Sequence, residues 1–74
     1  MRGALVLTEE QRAMLTKLAG SRTVPVREVE RSKVLLGYAS GASISEVMRR
    51  EGVGRPLIYR YIDKALAKGV EAKN

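Results

Sequence analysis

"EGVGRPLIYRY", residues 51–61, sets two glycines and a proline directly before an amphipathic run. A helix interior disfavours glycine by about 1 kcal/mol relative to alanine, and a plain loop has no need of the run that follows. Gly52 suits the left-handed position that closes a preceding helix. Val53 can plug the angle between two helices. Gly54 stands where an N-cap belongs, and Pro56 fits a first helical turn, where its missing N–H costs nothing. Ile58 and Tyr61 then seal the new helix onto the old one. The stretch reads as a sharp corner that delivers a helix.

Both sides of the corner support this reading. Upstream, Ser43-Ile44-Ser45-Glu46 forms a capping box that opens a helix over 44–51. Ile44, Val47 and Met48 mark its inner face, and Arg49 and Arg50 point outward. Downstream, a helix over 55–68 ends near Gly69. At about 100° per residue, Ile58, Tyr61, Ile62 and Ala65 fall inward, while Pro56, Tyr59, Arg60, Asp63, Lys64 and Ala67 fall on the opposite side. Two short helices joined by a few residues with a glycine make a helix-turn-helix.

Working back from there, a helix over 26–40 carries Ser32, Leu35, Leu36 and Ala39 as its inner stripe. Val34 and Tyr38 form a flank that receives the first helix. Gly37 lies mid-helix, where close approach of another helix is one explanation. A second capping box, Thr8-Glu9-Glu10-Gln11, opens the first helix over 8–19, and Gly20 supplies its stop. Residues 21–25 read as a connection. No strand-like alternation, internal repeat or low-complexity segment is present. The expected fold is all-α: a small bundle with a trihelical, homeodomain-like helix-turn-helix preceded by an extra N-terminal helix, in one domain over 1–74.

Composition narrows the function. The chain has 74 residues with no Cys and no His, so neither disulfides nor a Cys/His metal site supports its thin core. No apolar run is long enough for a membrane span, and no signal-peptide pattern opens the chain. A cytoplasmic protein is expected, held at the nucleoid through its ligand. The net charge is +6, with seven bases and four acids in each of residues 1–41 and 42–74. A small domain so evenly basic favours a polyanion, nucleic acid above all. Catalysis fits poorly, because there is no Gly-rich phosphate loop and no close set of acids. Glu9 and Glu10 belong to a helix N-terminus, and Glu28 and Glu30 do not face each other. No enzyme activity, cofactor, metal or small-molecule substrate is expected.

Two stretches, "LTEEQRAMLTKLAGSRTVPVREVERSKVLL" (7–36) and "GASISEVMRREGVGRPLIYRYIDKAL" (41–66), resemble the N-terminal DNA-binding region of bacterial mariner-like insertion-sequence transposases. "RTVPVREVERSKVLL" and "GVGRP…Y" are the most specific pieces. The resemblance implies a homeodomain-like unit that binds the terminal inverted repeats of a transposon. In that family a separate domain with three metal-binding carboxylates cuts and joins DNA, and no counterpart of it lies within these residues. The family commonly has Ser or Thr where Gly54 stands, and its recognition helix is often more basic than one carrying Asp63. A stand-alone transcriptional regulator is the alternative. A module that docks a protein or dimerises through the Val34/Tyr38 flank is another.

The expected DNA contacts follow from the corner. Arg55 lies at the start of the delivered helix, where such units approach base edges, and an arginine there can bond guanine O6 and N7 together. Arg60 is the second candidate reader, with Gly54 and Pro56 at the point of approach. Tyr59 can stack on a sugar or bond a phosphate, or cover the helix surface. Lys64 suits a phosphate. Arg49, Arg50 and Ser43 lie on the helix that crosses the backbone and are expected at phosphates. Each basic residue is also readable as solvated surface. Tyr61 reads as core, and Asp63 as a partner of Arg60 one turn away. Arg2, a lone base before the first helix, is the less favoured candidate for a minor-groove arm. The expected partner is double-stranded DNA, and a homodimer on paired half-sites is compatible with it.

Overall fold

The computed structural model describes residues 4–69, so Arg2 and any arm at the N-terminus lie outside the described residues. Four helices follow in order: α1 (Glu9–Ala19), α2 (Val26–Ala39), α3 (Ile44–Glu51) and α4 (Arg55–Lys68). Among the described residues there is no strand. The expected spans hold to within one residue at either end, and the residues in question, Thr8 and Ser40, are caps.

Both capping boxes form. The Gln11 N–H donates to Thr8 Oγ1 and the Thr8 N–H to Gln11 Oε1, each at 3.0 Å. The Glu46 N–H donates to Ser43 Oγ and the Ser43 N–H to Glu46 Oε1, each at 3.1 Å. Each box satisfies two donors that a helix start would otherwise leave orphaned. α1 stops at Gly20 as expected, though without a left-handed cap. Gly20 has φ −100° and ψ 5°, and its N–H is shared between the Thr16 and Lys17 carbonyls at 3.3 and 3.2 Å. α1 therefore ends by tightening its last turn, a conformation open to any residue, and the freedom special to glycine is not used there.

α2 is the centre of the bundle. α1 packs on α2 alone, while α2, α3 and α4 all touch one another. Leu15, Val34, Leu35, Ile58 and Ile62 are wholly buried, with Val47, Val53, Tyr61, Ala65 and Leu5 close behind. Val34, on the flank assigned to α1, is wholly buried, and Tyr38 on the same flank is half-buried. Leu36 and Ala39, expected on the inner stripe, are only half-buried, and Leu36 borders an open gap that α1 and α3 also line. Ser32 is buried without penalty, since its hydroxyl donates to the Glu28 carbonyl at 2.8 Å. At Gly37 a Cβ would lie 3.4 Å from Val47 Cγ2. The mid-helix glycine thus marks the close crossing of α2 and α3.

Candidate nucleic-acid interface

The corner between α3 and α4 is built by three residues. Gly52 is left-handed, with φ 67° and ψ 33°, and its N–H closes α3 on the Met48 carbonyl at 2.8 Å. Val53 turns inward and is 5% exposed, plugging the angle. Gly54 is extended, and its carbonyl accepts from the Ile58 N–H at 3.2 Å to start α4.

Packing then fixes which side of α4 is free. Ile58, Tyr61, Ile62 and Ala65 are buried, as the helical spacing requires. The Tyr61 hydroxyl donates to Glu30 Oε1 of α2 at 2.8 Å. This bond spans 31 residues of sequence and joins α4 to α2. Burial, then the bond and charge of Glu30, push the Tyr61 phenol up to about 12, against the opposing influence of Arg27 and Arg31. Tyr61 is therefore a standing donor at physiological pH. Sequence spacing placed Tyr61 in the core and gave no sign that Glu30 is its partner.

With that side anchored, Arg55, Pro56, Arg60 and Lys64 stand exposed on the other, with Gly54 exposed at the cap and Tyr59 half-buried. Asp63 is exposed on the same helix. Arg49 and Arg50 are both exposed in the last turn of α3. Ser43 spends its oxygen on the Glu46 N–H, which leaves its own proton available as a donor. The structure separates Arg50 from the rest. It lines an open groove of about 370 Å³ with Arg12, Thr16, Lys33, Leu36, Gly37, Ser40 and Glu51, and no residue of α4 borders it. Arg12 and Lys33 escaped the sequence reading because three helices must pack before they stand beside Arg50.

The N-terminus of α4 differs electrically from the other three. α1 begins with Glu9 and Glu10, α2 has Glu28 and α3 has Glu46 in the first turn, each complementing the positive end of the helix dipole. α4 has no acid in its first turn and no side-chain cap. Its first residue is the cation Arg55. Pro56 removes one orphan donor and leaves the N–H groups of Arg55 and Leu57 at the open end. An arginine at this end is unfavourable in isolation and becomes favourable beside an anion.

No group of three or more acidic, His or Cys side chains among the described residues could hold a metal ion. No helix among them is long and apolar enough to cross a membrane. A family model described as a homeodomain-like domain matches residues 25–73, about two thirds of the chain. That stretch takes in α2, α3 and α4 and leaves α1 outside. No curated protein and no solved structure matches the chain.

Proposed function

Because the chain belongs to the homeodomain-like domain family, we propose that it binds double-stranded DNA sequence-specifically, with α4 lying in the major groove. Arg55 and Arg60 read base edges. Arg49, Lys64 and the Ser43 hydroxyl hold phosphates, and Tyr59 packs on the sugar-phosphate wall. Helices at this corner of a helix-turn-helix approach bases with their N-terminal residues, and a bidentate arginine on guanine is the commonest specific contact. The observation that carries the reading is the uncapped, acid-free start of α4 with Arg55 at its tip. No acid of its first turn and no side-chain cap occupies that end of the helix, which favours an anion there.

The biological role we assign is recognition of transposon terminal inverted repeats, by binding and not by catalysis, in the cytoplasm at the nucleoid. Its support is the resemblance of residues 7–36 and 41–66 to the DNA-binding region of mariner-like insertion-sequence transposases. Selection from a pool of random duplexes tests both levels. An enriched motif that recurs in opposite orientations around the encoding gene is the expected result. Enrichment of a motif without such flanking repeats would transfer the domain to transcriptional regulation. No enrichment, or no binding at low salt, would overturn specific recognition itself. The same titration reads the number of copies per duplex.

A further inference from the structure

The groove bordered by Arg12 of α1, Lys33 of α2 and Arg50 of α3 exists because α1 packs on α2 alone and leaves a gap facing α3. Three cations from three helices line it against one carboxylate, Glu51. Arg31 pairs with Glu28 at 2.8 Å, whereas among the described residues none of the three groove cations has a carboxylate partner. Three cations against one acid leave an excess of positive charge, and an anion relieves it. The two hydroxyls of the groove are already spent as donors: Thr16 Oγ1 bonds the Arg12 carbonyl and Ser40 Oγ the Gly37 carbonyl, both at 2.8 Å. The donors left for a ligand are the cationic heads alone. Such a set suits an anionic group, and phosphate oxygens are the commonest partners of cationic side chains on DNA.

We infer that this groove holds the phosphodiester backbone of duplex DNA, outside the major groove that α4 enters. The inference rests on the reading that the chain binds duplex DNA. Size supports it. The fold measures 31 × 24 × 19 Å, whereas the major groove is about 12 Å wide. With α4 inside, the rest of the body must stand over or beyond the phosphate walls. Arg50 follows Arg49 on α3, so the groove continues the basic surface beside the corner. The chemistry disfavours a protein occupant. Leu36, half-buried, and Gly37 supply too little apolar area for the buried anchor such an interface needs.

The test is the double variant Arg12→Ala/Lys33→Ala, with Arg50 left intact because it adjoins the α4 surface. Both residues are exposed on helices, and an unchanged melting temperature confirms that the fold survives. Binding is measured across a salt series on two duplexes, one trimmed to the base pairs under α4 and one extended on both sides. On the extended duplex the slope of log affinity against log salt should fall by about two units, roughly one per lost phosphate contact. On the trimmed duplex the slope and base discrimination should match wild type. An unchanged slope on the extended duplex overturns the groove contact while leaving recognition by α4 intact. So does a response of the Leu36 and Gly37 amide signals to an acidic, apolar peptide but not to the extended duplex, which would give the groove to a protein. Absence of any duplex binding by the wild type overturns both readings together.

Discussion

Tyr61 of α4 and Glu30 of α2 are joined by a 2.8 Å hydrogen bond at the edge of the core. The bond ties the buried stripe of α4 to α2, on the side of the helix away from Arg55 and Arg60, which are exposed.

Tyr61→Phe keeps the ring and removes the bond, leaving Glu30 half-buried without its donor. A loss of about 1–2 kcal/mol is expected, measured by chemical denaturation. The pH dependence gives a second readout. The phenol titrates near 12 in the folded chain, above its ordinary 10.0. Folding thus favours the protonated form, and its contribution is full below about pH 10 and lost as pH rises toward 12. The wild type should lose stability over that window more steeply than the variant. Parallel curves would show that Tyr61 and Glu30 are not coupled in solution.

Gly52 has φ 67° with nothing within 4 Å of a would-be Cβ, so a side chain there meets strain and no clash. Gly52→Val should cost about 1–3 kcal/mol. Gly52→Asn should cost clearly less, because asparagine tolerates the left-handed region. Equal melting temperatures for the two variants would mean that backbone conformation is not what the position selects.

Gly37 faces Val47 where α2 and α3 cross. Gly37→Leu should overpack the crossing and lose about 1–3 kcal/mol. Gly37→Ala adds only a Cβ at 3.4 Å from Val47 Cγ2, and its helix-propensity gain should keep it within about 1 kcal/mol of wild type. Calorimetry of the pair checks the order; a leucine variant as stable as wild type would deny the close approach.

Alanine variants separate readers from anchors. Arg55→Ala or Arg60→Ala should cost about 1–3 kcal/mol on the preferred duplex and relax discrimination at one position. Arg49→Ala and Lys64→Ala should weaken all duplexes alike and lower the salt slope by about one unit. If both Arg55 and Arg60 variants weaken preferred and scrambled duplexes equally, α4 is a basic clamp and no reader.

What the sequence revealed and what it hid divide along a physical line. The Thr8–Gln11 and Ser43–Glu46 boxes, the left-handed Gly52 and the stripe of Ile58, Tyr61, Ile62 and Ala65 are local, and short spacings report them directly. Gly20 shows the limit of that logic: a glycine at a helix end offers a left-handed cap without obliging the chain to use it. The partnership of Tyr61 with Glu30 depends on how α4 lies across α2. The groove of Arg12, Lys33 and Arg50 depends on the packing of three helices, which no spacing within one helix encodes. The exposed face of α4 was legible because it is the complement of a buried stripe. Arg50, one residue from Arg49, was not separable from it until α3 had been placed against α2.

The single seam between α1 and α2 makes α1 a candidate cooperative unit in its own right. α1 packs on α2 and on no other helix, so detaching it opens one seam and exposes the wholly buried Leu15. Such a segment opens below the free energy of global unfolding. Its amide protons should exchange with deuterium ahead of those in α2 and α4. DNA held by α4 alone would protect the trihelical amides and leave the α1 exchange rate as it was, so the exchange pattern reports which helices the ligand ties together.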